Sequence, residues 1–556
     1  MSKKLFLFVV ACLLIQLTIA QTFTKADTLR GMLTPTRSCY DVTFYHLTLN
    51  INPATKYISG KNLIQYIVVN DFDSLQIDLN GKLRIDSIIW KGEKLIFHRI
   101  INTVFISFPK KILMGQSDFF TVFYQGKPIV AVNPPWDGGF VWGSSVAPSG
   151  DKKDWVGVAC EGIGASCWWP CKDHLSDEPD SMLLTYETPE NLTCIANGKL
   201  RSQKKLINGN HEWNWFISNP INNYDVTFNL ADYGHIHDIF ISGNDTLPLD
   251  YYVLKSEVEQ AKDFFQQVKL MMACYEKYFG PYPFLRDGYK LVESTYWGME
   301  HQSAIAYGNN YANNKWGFDF IIIHETAHEW WGNNVSCSDL ADMWIHESFA
   351  TYAEALFVEC TQGYENAKKY LVSQRYHIEN IKPIQGPYNV NYEASNNDQY
   401  YKGTWMLQTF RHVLNNDSIF FLLLKGIQKQ FALKTIGYND IVNYINTQTG
   451  KNYSYFFEQY LKQTSPPVFE YKIKKRHKKI IVSYRWKNVI AGFNMPLEIT
   501  KAFQHDILGD KIEYTRITPT DQWQTITLPD LKEQDFKIDD DEYYVLVDNG
   551  KKQNKK

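Results

Sequence analysis

Two histidines four residues apart place the tightest constraint on how this chain can fold. His324 and His328 follow an apolar run in the pattern H-E-x-x-H. On a helix, residues four apart share one face, so both imidazoles can bind one ion. Glu347 completes the two-nitrogen, one-oxygen donor set of catalytic Zn²⁺ sites, which leave a position for water. Glu325 would lie beside that water as a general base, so the pattern predicts a catalytic zinc site.

The composition indicates an ordinary globular protein of several domains. The chain has 556 residues, too many for one compact core, and 44% are hydrophobic and 21% charged. The net charge of −3 offers no basic surface to a polyanion, so the sequence predicts no nucleic-acid partner. In such a protein, the competing interpretation of the H-E-x-x-H pattern is a helix whose histidines are only packed or solvated.

The first twenty residues have the pattern of a secretory signal peptide. Lys3 and Lys4 precede an apolar run that reaches Ala20, where small residues suit a cleavage site. We therefore expect an exported protein, periplasmic or extracellular, whose mature chain begins at Gln21. The alternatives are a membrane anchor, for which the run is short, and a lipid-modified Cys12, although the apolar run continues past that residue. No later segment is long and apolar enough to span a bilayer.

An exported protein can form disulfides, and eight of the nine cysteines follow the predicted signal peptide. Cys160, Cys167 and Cys171 are close in sequence and could supply one disulfide, but spacing alone leaves the connectivity open. A second zinc site at these cysteines is disfavoured, because no fourth ligand has a suitable spacing.

Hydrophobic periodicity divides the chain into β, mixed and β regions, which predicts an α+β multidomain fold. Short alternating runs with Asn-Gly turns indicate antiparallel strands at the start, and helical spacing begins near Ser256. The zinc ligands are expected on two helices, over about 318–331 and 342–360. The predicted divisions are a signal peptide at 1–20, an N-terminal β domain at 21–247, a catalytic domain at 248–465, a small C-terminal β-sandwich at 466–549 and a tail at 550–556.

Several separate motifs resemble those of the aminopeptidase N and leukotriene-hydrolase family of zinc metallopeptidases. The zinc motif lies in H-E-T-A-H-E-W-W-G-N, and Glu347 lies in W-I-H-E-S-F-A-T-Y-A-E. The family's other signatures are matched, in its order, by P-C-K-D at 170–173, Y-F-G-P-Y-P-F at 278–284, W-G-M-E-H at 297–301 and Y-Y-K-G at 400–403. The resemblance implies a thermolysin-like mixed catalytic domain with one Zn²⁺ per chain. It also implies a short form, because no segment matches the family's large C-terminal helical domain.

The resemblance implies further roles for three residues and a function. Glu300 corresponds to the glutamate that holds the substrate's free α-amine, and Glu161 resembles a second acid that some members use for the same ammonium. Tyr400 corresponds to the hydrogen-bond donor for the developing oxyanion, with Tyr401 as its nearest competitor. A surface or loop position for the glutamates and a packing role for Tyr400 are the competing interpretations. The implied function is zinc-dependent aminopeptidase activity on peptides with a free N-terminus.

Several positions depart from the family pattern. His301 and Trp297 stand where the family has Asn and Gly, and Ala159 replaces a glutamine. These three are expected near the substrate, so they put the side-chain preference in doubt. His346 and Ser348 replace Asn and Gly around the third metal ligand.

Two more acids lie near the metal motif. Glu354 falls on the same helix face as Glu347, two turns on, and is either a partner of a zinc histidine or a solvated acid. Glu329 follows His328 directly, points elsewhere, and is expected to be structural.

Two other functions compete with an aminopeptidase. A zinc endopeptidase would use the same metal set, but would have no use for an amine anchor such as Glu300. A non-catalytic peptide-binding scaffold of the same fold would need neither Glu325 nor Tyr400, so their presence argues against it.

Overall fold

The computed structural model describes residues 23–392, 397–505 and 511–550. The predicted signal peptide at 1–20, and all of the predicted tail except residue 550, lie outside these ranges. Within them, strand-rich regions flank a mixed region that contains most of the helices. The α+β multidomain arrangement is confirmed.

An eight-stranded sheet is the largest layer of the N-terminal region. Its strand Tyr40–Asn52 alternates buried and more exposed side chains along most of its length, as expected for a sheet with one face on a core. This strand pairs antiparallel with one neighbour and parallel with Ser181–Thr188, so the sheet is not wholly antiparallel as predicted. From edge to edge the strands are Lys199–Lys205, His211–Ile217, Ser181–Thr188, Tyr40–Asn52, Tyr57–Val68, Ser117–Gly126, Leu83–Trp90 and Glu93–Lys94.

Two smaller sheets and two short helices complete the N-terminal region. A single buried cluster, which includes Leu47, Val122 and Trp168, joins the sheets into one core. The helices are Lys25–Gly31 and Pro35–Ser38. One sheet contains Phe72–Asp78, Thr103–Ile112 and Ile96–Ile100, and the other contains Thr193–Ala196, Phe228–Ala231, Lys152–Ala159 and Gly139–Val146.

A five-stranded sheet begins the mixed region earlier than predicted. Its order is Tyr233–Ser242, Asp245–Leu254, Tyr289–Glu293, Ile305–Tyr307 and Gly298–Met299. The boundary predicted after residue 247 falls inside the second of these strands. Because that strand bonds to Tyr289–Glu293, its whole hairpin belongs with the mixed region rather than with the N-terminal sheets. We call Tyr233–Ser242 and Asp245–Leu254 the surface hairpin.

The helices of the mixed region pack around one large apolar core. The predicted helix from about Ser256 to Tyr278 is two helices, because the chain breaks at residues 265–266. None of the helices in the described ranges is long and apolar enough to cross a bilayer. They are Val258–Phe264, Gln267–Phe279, Phe320–Ala327, Trp344–Gln362, Tyr364–Gln374, Tyr401–Leu414, Asp417–Gln430, Tyr438–Thr449 and Ser454–Lys462, with the paired strands Val335–Cys337 and Lys434–Ile436 among them.

We call Phe320–Ala327 the His324 helix and Trp344–Gln362 the Glu347 helix. A disulfide between Cys274 and Cys360, with Cα atoms 6.0 Å apart, links the Glu347 helix to Gln267–Phe279. The sequence had suggested a bridge among Cys160, Cys167 and Cys171. Those three are buried free thiols, so that possibility is wrong.

Two sheets form the C-terminal region, whose first strand, Val468–Arg476, follows the proline pair at 466–467. One contains Gln524–Pro529, Lys479–Lys487, Val468–Arg476 and Leu546–Asp548, and the other contains Leu497–Gln504 and Lys511–Ile517. Val482 and Trp486 from the first sheet share a buried core with Leu497 and Ile499 from the second. The two-layer arrangement agrees with the predicted small β-sandwich.

Candidate active site and metal centre

The His324 helix presents the first histidine of the motif. Asp319 caps its N-terminus, and the Asp319 side chain accepts hydrogen bonds from the backbone N–H groups of residues 321 and 322 at 2.9 and 3.3 Å. The helix ends at Ala327, earlier than the predicted end at Trp331; turns follow at 328–330, and Gly332 beyond them has a φ of +131°. His328 is the first residue beyond the helix, but it keeps helical backbone angles and therefore still faces His324.

Hydrogen bonds at the outer ring nitrogens orient both imidazoles. Nδ1 of His324 lies 2.7 Å from Oε1 of Glu354, and Nδ1 of His328 lies 2.9 Å from the carbonyl oxygen of Trp331. Both acceptors require Nδ1 to carry the proton, which turns each Nε2 towards the common centre. The two Nε2 atoms are 3.4 Å apart. Paired imidazoles held in this way are typical of metal ligands.

Glu347, in the first turn of its helix, closes the centre. Its Oε2 lies 3.5 Å from Nε2 of His324 and 3.6 Å from Nε2 of His328. All three side chains are buried, and Oε2 has no hydrogen-bond partner among the residues that the structure describes. A buried, unpaired carboxylate oxygen facing two ring nitrogens costs free energy unless a cation compensates it. The residues therefore fit a divalent ion.

The surroundings of His324 and His328 shift the pKa values of the two rings in opposite directions. Burial lowers the pKa of His328 to about 4. At His324, burial also opposes the charge, but the neighbouring carboxylates of Glu347 and Glu354 outweigh it and raise the pKa well above its ordinary value. Without an ion, a proton on His324 partly neutralises the acids, and binding of the ion would release it.

Glu354 supports the first ligand, as one of the two sequence interpretations predicted. Besides His324, its carboxylate accepts hydrogen bonds from the hydroxyl of Tyr370 and, at 3.2 Å, from Nε2 of Gln374. Glu329, expected to be structural, accepts from Tyr282 at 2.6 Å and from the backbone of Ser303 at 2.8 Å. Neither acid is solvated, and only Glu354 contacts a metal ligand.

Glu325 lies beside the centre without belonging to the donor set. Burial raises its pKa to about 8; the charge of His324 opposes this, while Glu300 and Glu347 add to it. A carboxyl group that titrates near neutral pH suits both uptake and delivery of a proton. Gly298 approaches so closely that a Cβ there would lie 2.7 Å from Oε1 of Glu325, so a side chain at this position would displace the carboxylate.

Two further carboxylates from distant parts of the sequence meet the metal donor Glu347. One oxygen each from Glu161, Glu300 and Glu347 lies within 4.8 Å of the other two. Glu300 is buried, and burial raises its pKa, although a hydrogen bond from Tyr224 opposes the shift. The structure thus brings both predicted amine-binding acids to the metal centre.

A cavity of about 530 Å³ contains the site. Glu161, Glu300, Glu325 and the metal donors line it, as do both Tyr400 and Tyr401. Tyr400 precedes the helix Tyr401–Leu414, and its ring centroid lies 6.2 Å from that of His324. The ring of Tyr401 instead stacks on His377 at 4.5 Å, which leaves Tyr400 as the better placed of the two.

An aromatic wall that the sequence did not reveal extends from the mouth of the cavity to the metal centre. The ring of Trp136 lies 6.1 Å from Trp297, which stacks on Phe320 at 5.5 Å, and Phe320 stacks on His324 at 5.3 Å. Trp297 therefore lies at the substrate cavity, as its departure from the family pattern suggested.

The other two departures from the family pattern, His301 and Ala159, are placed differently from Trp297. Both are fully buried, and neither lines the cavity. Burial also lowers the pKa of His301 to about 3, so the ring is neutral at physiological pH.

Tyr224 and His346 form a contact that no local motif signals. The hydroxyl of Tyr224 lies 3.1 Å from Oε1 of Glu300 and 3.3 Å from Nδ1 of His346. The departure from Asn at position 346 was visible in the sequence, but Tyr224 lies in a different region and has no catalytic pattern around it.

Comparison with known proteins gives a consistent result. Residues 265–460 match the peptidase family M1 domain. Endoplasmic reticulum aminopeptidase 1 of Rattus norvegicus is 22% identical over 55% of this chain and 34% of its own length. Aminopeptidase N of Lactococcus lactis subsp. lactis is 22% identical over 76% of this chain and 51% of its own. This chain thus spans between a third and about half of these curated relatives.

Solved structures resemble most of the fold. A variant M1 zinc metallopeptidase from Deinococcus radiodurans, bound to a Tyr-Ser-Ala substrate, superposes with a TM-score of 0.64 at 19% identity. The match covers 77% of this chain and 95% of the other. The fold and the donor set define a zinc-metallopeptidase domain with a site for one Zn²⁺. The chain is thus similar to M1 peptidases, aminopeptidase N among them, and the family match itself covers residues 265–460.

Proposed function

We propose that this protein is an aminopeptidase that removes the first residue from peptides with a free N-terminus. The proximity of Glu161 and Glu300 to Glu347, with oxygens within 4.8 Å of one another, carries the proposal. Two carboxylates suit an ammonium group, and consecutive Cα atoms are only about 3.8 Å apart. A terminal amine held by these acids therefore brings the first peptide bond, and no later one, to the metal centre.

The remaining residues supply the chemistry of hydrolysis. Zn²⁺ bound by His324, His328 and Glu347 would polarise the scissile carbonyl and lower the pKa of a water molecule. Glu325 accepts a proton from the attacking water and delivers it to the leaving amine. Tyr400 donates a hydrogen bond to the oxygen that becomes negatively charged.

The first experiment separates an aminopeptidase from an endopeptidase with the same metal set. One peptide is incubated with the protein in two forms, with a free and with an acetylated N-terminus, and the products are identified by mass spectrometry. We expect sequential loss of residues from the free form only, because an acetylated nitrogen carries no charge for Glu161 and Glu300. Internal cleavage of both forms would establish the endopeptidase instead.

Variants test the proposed roles and the non-catalytic alternative. Glu325→Gln preserves the shape of the side chain but not its basicity, and we expect turnover to fall about 10²- to 10⁴-fold with zinc retained. Tyr400→Phe should lower kcat by about 10²- to 10³-fold, whereas the matched control Tyr401→Phe should change it little. An inactive wild-type protein that holds zinc would support the peptide-binding scaffold.

We also propose that the protein is exported. The pattern of residues 1–20 supports this, and so does the Cys274–Cys360 disulfide, because disulfides persist in oxidising compartments. Sequencing the N-terminus of the protein from its native cell should give Gln21 as the first residue. A chain that begins at residue 1 would contradict export by cleavage, and a lipid on Cys12 would establish the anchored alternative.

A further inference from the structure

We propose that His346 is a positioning residue for peptide binding, acting through Tyr224 on the carboxylate of Glu300. The inference rests on the proposed function, because it concerns the acid that would hold the substrate amine. Neither His346 nor Tyr224 lines the cavity, so neither is proposed to touch the substrate.

The direction of each hydrogen bond follows from a group that can only donate. The backbone N–H of Cys337 points at Nε2 of His346 across 2.8 Å. Nε2 must therefore accept, and it can do so only with a lone pair, which makes the ring neutral with its proton on Nδ1. Nδ1 lies 3.3 Å from the hydroxyl oxygen of Tyr224, so His346 donates to that oxygen.

The chain of donors ends on the carboxylate. Because the hydroxyl oxygen of Tyr224 accepts from His346, the hydroxyl proton is available for Oε1 of Glu300, which lies 3.1 Å away. Hydrogen bonds that polarise one another in series are stronger than isolated ones. This relay, from His346 through Tyr224 to Glu300, therefore fixes the position of Oε1.

The two relay residues come from different regions and are rigidly held. Tyr224 lies in a short turn, Asn223–Asp225, of the N-terminal region, whereas His346 precedes the metal ligand Glu347 on its helix. Both side chains are buried, and their rings lie 6.5 Å apart at an interplanar angle of 27°. The relay thus ties the acid that would bind the amine to the helix that holds the metal ligand, and so holds the spacing between them.

The test compares two inhibitors that differ only in the amine. Leucine hydroxamate and its analogue without the α-amine both bind zinc through the hydroxamate, so the ratio of their inhibition constants reports amine binding alone. We expect Tyr224→Phe to lower the affinity for leucine hydroxamate about 10-fold, as for loss of a hydrogen bond to a charged group, and to leave the affinity for the analogue unchanged. KM for an aminoacyl anilide should rise with little change in kcat.

Substitutions at position 346 should reduce the preference for leucine hydroxamate to different degrees. His346→Leu, which can neither accept nor donate, should match Tyr224→Phe, whereas His346→Asn can do both over a shorter reach and should recover part of the lost ratio. Tyr186→Phe is the matched control, because Tyr186 is buried and its hydroxyl has no hydrogen-bond partner among the described residues. Zinc content is measured in every variant to exclude damage to the metal centre.

Two failures can be told apart. If wild-type protein binds the two hydroxamates equally, the amine anchor itself is absent and the proposed function fails. If wild type prefers leucine hydroxamate and Tyr224→Phe keeps the whole preference, the relay is overturned and the anchor stands. An equal loss of affinity for both inhibitors in Tyr224→Phe would also overturn the relay, since it would indicate a general disturbance.

Discussion

Two regions of this molecule present the same three donors, two imidazoles and one carboxylate, in different surroundings. One is the buried centre of His324, His328 and Glu347, and the other is a cluster on the surface hairpin. In the surface cluster, Oδ1 of Asp250 lies 2.8 Å from Nε2 of His235 and 2.9 Å from Nδ1 of His237. The side chains of His235 and His237 are 46% and 58% exposed.

The difference shows that donor type alone does not define a metal centre. Asp250 is already satisfied by two imidazoles, whereas Oε2 of Glu347 has no hydrogen-bond partner in the described ranges. In the buried centre, the outer nitrogens of both rings are also held by Glu354 and the carbonyl of Trp331. Burial and pre-orientation, which the surface cluster lacks, raise the affinity that the same donors can reach.

The largest expected effect comes from removing one carboxylate at each place. Glu347→Ala should lose its zinc and, because the ion contributes several kcal/mol to transition-state stabilisation, about 1000-fold or more in kcat/KM. Asp250→Ala should keep one zinc per chain and normal activity. Zinc is measured by elemental analysis after gel filtration. Retention of zinc by Glu347→Ala, or its loss from Asp250→Ala, would break the comparison.

Removal of zinc should destabilise the protein only through the buried centre. Free zinc at about 1000 times its Kd stabilises the folded state by about 4 kcal/mol, and a chelator should remove that contribution to the free energy of unfolding. Wild type and Asp250→Ala should lose this amount in urea unfolding, and Glu347→Ala should lose nothing. An equal response to the chelator in all three proteins would assign the effect elsewhere.

Loss of the hydrogen bond that orients His324 should lower zinc affinity less than loss of a zinc ligand. Glu354→Ala leaves Nδ1 of His324 without its acceptor, and we expect zinc affinity to fall about 10- to 100-fold. Glu354→Gln keeps an acceptor oxygen, so its zinc affinity should fall less than that of Glu354→Ala. Competition with a fluorescent zinc chelator measures both. An unchanged affinity in Glu354→Ala would mean that the orienting hydrogen bond is unimportant.

The smallest effect concerns the surface cluster. Burial raises the pKa of Asp250, but hydrogen bonds from His235 and His237 outweigh it and hold the pKa below its usual value. A depressed carboxylate pKa contributes stability that is present above about pH 3.9, the unfolded value, and is lost as the pH falls through the folded value. Asp250→Asn should therefore cost less than about 1 kcal/mol at neutral pH, and less still in acid. Urea unfolding midpoints of wild type and Asp250→Asn, measured at neutral pH and at a pH below the folded pKa of Asp250, test this. A destabilisation that is larger in acid than at neutral pH would contradict the prediction.

Local patterns predicted the parts of the site that depend on spacing along one helix. The interval between His324 and His328 predicted a shared face, and the interval between Glu347 and Glu354 predicted a possible partner for a zinc histidine. The β, mixed and β order also followed from periodicity. These features need only neighbours in sequence, so they were accessible without coordinates.

Features that depend on distant contacts were not predictable from the residues alone. Cys274 and Cys360 are 86 positions apart, and nothing local distinguishes them from the cysteines that stay free. The surface hairpin looks like the preceding strands, and only its pairing with Tyr289–Glu293 assigns it to the mixed region. Tyr224 reaches Glu300 because two regions dock, a contact that leaves no periodic trace in the sequence.

The Glu347 helix has nineteen residues and carries a metal ligand, the acid that orients His324, and His346. An α-helix transmits displacement along its length with little internal deformation. A slide or tilt caused by repacking at its far end, near Cys360, would therefore shift ion, imidazole and relay in concert. Repacking at that end can therefore move these three groups together, with the spacing between them preserved.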